Sequence, residues 1–348
     1  MKKNIRDLQL NEIEEVILKM GEPKFRARQI FAWLCKGVEN FDEMQNVPLN
    51  LRKKLDKEFF TGSFKPAEVQ ISAVDGTRKY LFILEDGNAV ESVFMKYKYG
   101  NTICVSSQAG CRMGCKFCAS TLRGLVRNLS PGEIVQQLLA AEKDTGEKIN
   151  HIVVMGSGEP FDNYENLASF IKIVNHPEGL GLSMRNITVS TCGIIPQIHR
   201  FAKDFPQANL AISLHSPTDK GRSAIMPINK KYPLKELIKA CRQYTEETSR
   251  RITFEYTLVR GVNDDEEHAA MLASLLKGMR CHVNLIPLNK VEETGLETIA
   301  RKQAEKFLAA LEKRKIAATI RRELGDDIDG ACGQLRLKTM AKESENRQ

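Results

Sequence analysis

In the stretch Gly110-Cys111-Arg112-Met113-Gly114-Cys115-Lys116-Phe117-Cys118-Ala119, three cysteines are spaced Cys-x3-Cys-x2-Cys. The stretch closely follows a short apolar run, Ile103–Ser106, which has the composition of a buried strand. Three thiolates on one glycine-bearing loop can surround a single soft metal centre. A structural zinc site normally has four protein ligands, and no fourth Cys or His follows at the spacing of a zinc finger. We therefore interpret Cys111, Cys115 and Cys118 as ligands of an iron–sulfur cluster, with a zinc loop completed by a distant residue as the alternative.

Apolar runs alternate with helical patterns along the chain on both sides of this motif. Each gap between the runs can hold one helix, and the first helix should begin at Ser130-Pro131-Gly132-Glu133, a capping box with proline at the first helical position. Repeated strand–helix units predict an α/β fold with a parallel sheet and right-handed crossovers. A full or partial barrel fits better than a dinucleotide-binding fold, because no Gly-x-Gly-x-x-Gly follows the first strand. The candidate strands are Ile103–Ser106, His151–Met155, Ile187–Ser190, Leu210–Leu214, Ile252–Tyr256, Val283–Ile286 and Ala317–Arg321.

Two smaller segments precede this α/β body. The first shows helical periodicity and contains Lys24–Leu34, which alternates cations with apolar anchors. That helix either has an ordinary solvated face or is a cationic helix that approaches phosphates. The second segment has a period of two, with hairpin turns predicted at Asp75-Gly76 and Asp86-Gly87. The expected division is a helical accessory domain at 1–62, a β-hairpin extension at 63–100, the α/β body at 101–322, and a C-terminal loop with a polar tail at 323–348.

The composition excludes several classes of protein. The chain of 348 residues is 42% hydrophobic, which is enough for a sizeable core and excludes wholesale disorder. No apolar stretch approaches the roughly 18 residues of a membrane span, and residues 1–7 lack the apolar region of a signal peptide. We therefore expect a cytoplasmic protein, in which nine cysteines indicate metal binding or catalysis rather than a disulfide framework. The net charge of +8 permits a polyanionic partner without requiring one.

Glycines and polar residues follow the candidate strands, at the ends where folds of this class carry their chemistry. Gly158 and Glu159 come after the second strand, where the glycine lets the backbone pass close to a ligand and the carboxylate can accept hydrogen bonds from an ammonium group. The same segment could simply be a turn, and a histidine at a strand end is often structural. The other candidate ligand-binding residues at or after strand ends are Ser190, Ser213, Leu214, His215 and Asn289.

Two further cysteines are distinguished by their positions. Cys104 lies on the first strand of the body, where a cysteine by itself is usually a small buried hydrophobe. Cys332 lies near the C-terminus between glycines, after three aspartates and outside any apolar run. An exposed thiol in such a loop can act as a nucleophile if its pKa is lowered.

The cysteine motif after the first strand resembles the radical S-adenosylmethionine (SAM) superfamily. Together with Cys104 and Cys332, the chain closely resembles the RlmN/Cfr family of radical SAM methyltransferases, which modify adenosine in ribosomal RNA. Gly158-Glu159-Pro160 is similar to the RlmN branch, because the Cfr branch tends to have Ala at the position of Pro160. Departures from the family pattern are Gly330 in place of Ala, Ser157 in place of Met, and Cys192 at a variable position. The most specific segments are Cys104–Cys118, Gly156–Pro160, Ser213–Pro217, Arg251–Tyr256, Asn284–Asn289 and Asp327–Leu335.

The resemblance implies a mechanism with two SAM molecules per turnover. A 4Fe-4S cluster on the three motif cysteines would leave one iron open to chelate the amino and carboxylate groups of SAM. Cys332 would first take a methyl group, and a 5′-deoxyadenosyl radical from the second SAM would then remove hydrogen from that methyl. The methylene radical would add to C2 of adenine, a carbon with no nucleophilic character. Cys104 would resolve the resulting crosslink as a disulfide with Cys332, and Glu91 matches the position of the proton acceptor.

The resemblance also implies the partners. The expected substrates are 23S rRNA at adenine 2503 and tRNAs at adenine 37, with a low-potential electron donor such as flavodoxin or ferredoxin, and the enzyme is expected to be a monomer. The alternatives are Cfr-like methylation at C8 and a zinc-stabilised RNA-binding protein without catalysis. The remaining thiols are assigned to the core or surface: Cys35, Cys192, Cys241 and Cys281. Candidate phosphate contacts are Lys24, Arg26, Arg28, Arg222, Lys230 and Lys231.

Overall fold

A computed structural model describes residues 2–288, 295–322 and 324–328 of the chain. Its strands are β1 (Lys3–Asn4), β2 (Phe59–Phe60), β3 (Pro66–Ile71), β4 (Arg78–Ile83), β5 (Ala89–Tyr97), β6 (Gly100–Cys104), β7 (Gln108–Gly110), β8 (Leu125–Asn128), β9 (His151–Val154), β10 (Ile187–Thr191), β11 (Asn209–Ser213), β12 (Ile252–Leu258), β13 (Cys281–Pro287) and β14 (Ala318–Ile320). Its α-helices are α1 (Leu10–Lys19), α2 (Phe25–Cys35), α3 (Leu49–Glu58), α4 (Pro131–Thr145), α5 (Tyr164–Asn175), α6 (Ile195–Asp204), α7 (Asp219–Ile225), α8 (Leu234–Thr248), α9 (Glu266–Leu276) and α10 (Arg301–Lys313).

A ten-stranded sheet runs in the order β14-β13-β12-β11-β10-β9-β6-β5-β4-β3. The strands from β14 to β6 pair in parallel, while β5, β4 and β3 continue the sheet as antiparallel strands. Within the described ranges β14 and β3 do not pair with each other, so the sheet is open, as in a partial barrel. The predicted α/β fold with a parallel sheet is confirmed, and the hairpin segment forms an extension of the same sheet.

The seven predicted strands of the body all occur, with shifted ends. The first, β6, ends at Cys104 rather than Ser106, because the chain then leaves the ladder. Ser107 and Gln108 donate their backbone N–H groups to the carbonyl oxygen of Ser157, at 2.9 and 3.1 Å. These bonds join the segment after β6 to the loop after β9, where the candidate ligand-binding residues lie.

Local sequence signals explain where several elements begin and turn. The Ser130 hydroxyl accepts a hydrogen bond from the backbone of Glu133, whose carboxylate accepts one from the Ser130 N–H, as predicted for the start of α4. Both predicted hairpin turns are also confirmed. Asp75 Oδ1 accepts from the N–H of Thr77 at 2.9 Å, and Asp86 Oδ1 accepts from Asn88 at 3.0 Å.

The N-terminal helices share one hydrophobic core with the body. Arg6 is buried, and its guanidinium donates to the carbonyl oxygens of Leu34, Val38 and Thr61. Asp7 accepts the backbone N–H of Gly132 at 2.9 Å, at the positive end of the α4 dipole. The front segment is thus fixed against the helix that follows β8. No helix in the described parts of the chain is both long and apolar enough to cross a bilayer.

The predicted phosphate contact at Arg222 is wrong, because this side chain is completely buried. Its guanidinium donates to the carbonyl oxygens of Cys192 at 2.6 Å, Ser213 at 3.1 Å and Leu214 at 3.2 Å. A further bond of 2.9 Å goes to Oδ1 of Asn229. Because buried oxygens accept all of these hydrogen bonds, the guanidinium holds the strand ends together and cannot reach a nucleic acid.

We expect Arg222→Met to lower the free energy of unfolding by at least about 3 kcal/mol, because several buried carbonyl oxygens lose their donor. The matched control is Lys230→Met, which removes an exposed cation from the same region and should change stability by less than about 0.5 kcal/mol. Urea unfolding measures both. Equal effects of the two substitutions would contradict a structural role for Arg222.

Candidate active site

A cavity of about 240 Å³ opens at the carboxyl ends of the parallel strands. This is the face on which folds of this kind place their chemistry. The cysteine loop forms one wall, and residues from the ends of β9 to β13 form the others. Among the lining residues are Cys111, Cys115, Cys118, Gly158, Glu159, Ser190, Ser213 and His215.

Backbone hydrogen bonds hold the cysteine loop in place. Cys111 donates to the carbonyl of Gly124 at 2.9 Å, and Lys116 donates to that of Ile225 at 2.9 Å. Gly110 has a φ of 82°, and a Cβ there would lie 2.1 Å from the oxygen of Gly124, so only glycine allows this close approach. The three predicted ligands are thereby presented to one cavity by a loop whose path is fixed at both ends.

The surroundings of these thiols are largely apolar. Cys115 packs with Cys192, Ile225 and Met226. Burial, the largest cause for both thiols, raises the pKa of Cys111 to about 12 and also raises that of Cys115. A bound cation favours the thiolate form that binds metals.

Glu159 is a buried carboxylate that already accepts two backbone hydrogen bonds. Oε1 accepts from Phe161 N at 3.0 Å, and Oε2 accepts from Cys192 N at 2.7 Å, which links the loop after β9 to the loop after β10. Burial raises its pKa. The preceding Gly158 has a φ of 108°, and a Cβ there would lie 2.6 Å from Cβ of Gln108. The segment is therefore a rigid turn that holds a hydrogen-bond acceptor in the wall of the cavity.

His215 is buried in an unusual backbone conformation at the end of β11, with a φ of 55°. Its Nδ1 accepts from the backbone N–H of Thr257 at 2.9 Å. Burial, assisted by the charge of Arg222, lowers the pKa of His215 to about 3. The ring is therefore neutral at physiological pH with its proton on Nε2, so it can donate one hydrogen bond. It packs edge-on against Phe117 of the cysteine loop, with ring centroids 4.5 Å apart.

The other predicted cofactor contacts differ in their placement. Ser190 and Ser213 line the cavity. Leu214 is buried and does not belong to the cavity lining; its backbone N–H donates to Glu255 O at 3.0 Å, and its carbonyl accepts from Arg222. Asn289 lies outside the described residues, as does Cys332.

Cys104 lies on the face of the sheet that continues into the cavity. It pairs with Val93 of β5 and Val153 of β9, and residues directly opposite each other share a face. Cys104 packs in a small apolar cluster that includes Met155 and Leu324. Met155 also lines the cavity with the motif cysteines. Cys104 therefore lies at the edge of the same site, and its thiol is not in a disulfide with any described residue.

Glu91 lies on the same face, two residues before Val93. From residue pattern alone it is expected to be an exposed strand residue, and that expectation is wrong because its side chain is only 4% exposed. Its Oε2 lies 2.9 Å from Nζ of Lys79, which is completely buried. Its backbone carbonyl accepts from the Ser106 hydroxyl at 2.6 Å. A buried ion pair is costly unless it is well satisfied, so this one is a candidate for a functional role.

The comparisons with known proteins cover nearly the whole chain. Family models match at residues 105–273 for the radical SAM superfamily and at residues 3–60 for the ribosomal RNA large subunit methyltransferase N-terminal domain. A probable dual-specificity RNA methyltransferase RlmN from Thermoanaerobacter sp. (strain X514) is 52% identical, over 96% of this chain and 98% of the relative. The protein of the same name from Pelotomaculum thermopropionicum is 54% identical, over 96% of this chain and 92% of the relative.

The chain belongs to the RlmN family of radical SAM enzymes. Its fold agrees with the crystal structure of a radical SAM methyltransferase from Sphaerobacter thermophilus, with a TM-score of 0.91 and 43% identity over 95% of this chain and 98% of that chain. The resemblance inferred from the motifs is thereby confirmed, and so are the radical SAM cofactors of this RlmN enzyme, a 4Fe-4S cluster and SAM.

The residues present fit those cofactors. Within the described ranges, no three Cys, His, Asp or Glu side chains are arranged to hold a single metal ion. In a cubane cluster each thiolate binds a different iron atom, and three thiols on one cavity wall match that donor set. The cavity also offers hydroxyl, imidazole and carboxylate groups, which suit the amino acid and ribose parts of SAM.

Inspection of the motifs missed one polar group of this RlmN site, the buried Glu255 and its half-buried partner Asn284. Asn284 Nδ2 donates to Glu255 Oε2 at 2.8 Å, and Glu255 lines the cavity. Burial raises the pKa of Glu255. Its signal was present in the alternation of Ile252–Tyr256, in which Thr253 and Glu255 occupy one face of a buried strand.

The low pKa of His215 has a measurable consequence for stability. Because the unfolded chain binds a proton below about pH 6.5 and the folded chain does so only near pH 3, this residue makes stability fall as the pH drops through that window. We expect the His215 ring resonances to stay unchanged between about pH 5 and pH 8 in NMR spectra. His215→Gln should make the pH dependence of urea unfolding shallower below about pH 6.5. A resonance that titrates near pH 6.5 would contradict the burial argument.

Proposed function

We propose that the protein methylates C2 of adenine 2503 in 23S rRNA and C2 of adenine 37 in tRNAs, through a methyl group carried on Cys332. One observation carries the proposal. The three motif cysteines and Met155 line one cavity, and both Met155 and Leu324 of the C-terminal segment pack against the apolar cluster that contains Cys104. The segment that leads to Cys332 thus passes beside the cysteine assigned to resolve the crosslink, at the edge of the cofactor cavity.

The cavity residues would bind and orient the cofactors. Cys111, Cys115 and Cys118 would hold the cluster, which together with SAM supplies the one-electron chemistry needed to activate an unreactive C–H bond. Glu159 would accept hydrogen bonds from the SAM ammonium group. The ribose and carboxylate of SAM would form hydrogen bonds with Ser190, Ser213 and the Nε2–H of His215. Gly158 would let the backbone approach the cofactor closely, and Asn289 would contact its adenine.

The two remaining cysteines would carry the methyl group and release the product. The Cys332 thiolate attacks the methyl carbon of the first SAM, so a sulfur–carbon bond forms as S-adenosylhomocysteine leaves. After the carbon is attached to adenine C2, Glu91 would accept the C2 proton and one electron would be given up to the cluster, which leaves a closed-shell thioether between the RNA and Cys332. The Cys104 thiolate would then attack the Cys332 sulfur, so that the disulfide forms as the sulfur–carbon bond breaks. The departing carbon would take up a proton and become the methyl group of the RNA. The ion pair with Lys79 would hold the Glu91 carboxylate in position during this sequence.

The RNA surface is proposed at the outer face of α2 and the loop after α7. Phe25 is 53% exposed, and the Arg26 guanidinium lies 4.6 Å from the centre of its ring. Such a pair can contact both a base and a phosphate. Lys24, which is paired with Glu14 at 3.0 Å, lies at the start of the same helix, and Arg28 follows. The exposed Lys230 and Lys231 form a second set of proposed phosphate contacts, from which the buried Arg222 is excluded.

The proposed setting follows from this chemistry. The RNA substrates place the enzyme in the cytoplasm. A reducing equivalent has to reach the cluster, and a flavodoxin or ferredoxin has a suitable low potential. We propose that the enzyme works as a monomer.

We expect the anaerobically purified protein to be brown, with about four iron and four sulfide per chain. Cys115→Ala should lose the colour and the iron, because the loop then offers only two thiols. The matched control Cys241→Ala changes another buried cysteine, on α8, and should keep both the colour and the iron. Metal analysis and absorption spectra measure the outcome. A colourless wild-type protein containing zinc would support the zinc-stabilised RNA-binding alternative instead.

We expect Cys104→Ala to accumulate a covalent protein–RNA adduct that survives denaturation, because the crosslink to Cys332 cannot be resolved. Cys281→Ala, a change at a cysteine of β13 outside the cavity lining, should turn over like the wild type. Denaturing gels detect the adduct, and mass spectrometry of digested nucleosides identifies the methylated carbon. The absence of an adduct would refute the role of Cys104, and an 8-methyl product would favour Cfr-like activity.

A further inference from the structure

The turn between β3 and β4 is joined to the C-terminal segment by a reciprocal pair of hydrogen bonds. The backbone N–H of Gly325 donates to Asp75 Oδ2 at 3.0 Å. In return, the backbone N–H of Ala73 donates to Asp327 Oδ2 at 2.8 Å. Each segment thus supplies one carboxylate and one backbone donor, across a separation of about 250 residues. We call this arrangement the clasp.

The clasp is built on a well-ordered turn. Ser72 is only 3% exposed, and its hydroxyl accepts from the N–H groups of Val74 and Asp75, both at 3.2 Å. Burial opposes ionisation of Asp75, but hydrogen bonds from Thr77, Gly325 and Ser72 lower its pKa to about 2. The Ser72 hydroxyl lowers the pKa of Asp327 as well. Both carboxylates are therefore charged acceptors at neutral pH, which strengthens their hydrogen bonds.

The position of the clasp relates it to the reaction. Leu324, next to the clasped Gly325, packs against the cluster formed by Val93, Met95 and Cys104. Gly325 has a φ of 69°, and a Cβ there would lie 3.0 Å from Ile328 and 3.2 Å from Thr77, so the tight fit requires glycine. The C-terminal segment is thus held at a defined point beside Cys104.

We propose that the clasp positions Cys332, with Asp75 and Asp327 as positioning residues that limit the space the methyl-carrying thiol can explore. This inference rests on the proposed function, because it assigns a use to Cys332. The hairpin extension thereby has a part in the reaction, since its first turn holds the C-terminal segment close to the cavity.

Chain length gives the size of the effect. Cys332 follows Asp327 by five residues, which span at most about 17 Å when extended. Without the Asp327 bond the nearest held residue is Gly325, whose N–H still donates to Asp75, and the seven residues from there to Cys332 can span about 24 Å. The effective concentration of a tethered group falls roughly as the −3/2 power of tether length. Loss of the Asp327 bond should therefore slow encounters of Cys332 with its partners by about 1.7-fold.

We expect Asp327→Ala to lower the rate of Cys332 methylation in the cluster-containing holoenzyme by about 1.7-fold, measured by mass spectrometry of the Cys332 peptide after addition of SAM. Turnover on an rRNA fragment should fall by a similar factor, with the KM for RNA unchanged. Asp327→Asn, which keeps an acceptor oxygen, should restore most of the rate. Iron content and the unfolding midpoint should not change, because Asp327 is exposed.

The matched control is Asp86→Ala. Asp86 accepts the same local bond in the second hairpin turn, from the N–H of Asn88, and also pairs with Arg127, but it has no hydrogen bond to the described residues of the C-terminal segment. This control should methylate Cys332 at the wild-type rate. The clasp proposal is overturned if Asp327→Ala equals the wild type, or if Asp86→Ala is equally slow. A wild-type enzyme that never carries a methyl on Cys332 would instead refute the proposed function itself.

Discussion

The buried guanidinium of Arg222 is the interaction on which the site depends most. It donates to carbonyl oxygens at the ends of β10 and β11, and to Asn229 in the loop after α7. Those carbonyls lie where parallel strands stop and their backbone groups lose the neighbouring strand. Burying a cation is costly, so its geometry is fixed by the need to satisfy every donor. The same charge helps keep His215 neutral. Fixed strand ends and a neutral imidazole are therefore two consequences of one buried charge.

On the other side of the cavity, neutral side chains satisfy the backbone groups near the strand ends. Gln137 of α4 accepts from Ser106 N at 2.8 Å and donates to its carbonyl at 2.9 Å. The Ser106 hydroxyl in turn joins the Glu91 carbonyl to the N–H of Ser157. Gln108 accepts from Glu159 N at 2.8 Å. In a longer strand these backbone groups would bond to the neighbouring strand. Here side chains satisfy them instead, so the loops can form a rigid rim around the cavity.

The sequence predicts the elements better than the contacts between them. Strand periodicity, the capping box at Ser130 and the turn residues at Asp75 act over a few residues, so each can be seen in a short window. Arg222 was misplaced because an arginine in a polar segment has the same local pattern whether it is exposed or buried. The burial of Glu91 likewise cannot be seen in its local pattern, since its partner Lys79 lies on another strand. Nothing in the residues next to Gly325 or Asp75 in the sequence indicates that these two residues are hydrogen-bonded. Contacts of that kind depend on the topology of the sheet.

The topology also explains why the sheet is extended rather than closed. β6 is the strand at which parallel pairing changes to antiparallel pairing; Cys104 lies on this strand and Glu91 on its antiparallel neighbour β5. The proposed SAM contacts Glu159, Ser190 and Ser213 lie at or after the ends of β9, β10 and β11. A closed barrel would bring another parallel strand to this junction and cover the face that Leu324 now contacts. An open sheet instead gives a separate wall to the groups assigned to finish the reaction, and it leaves an edge beyond β5 on which the C-terminal segment can be anchored.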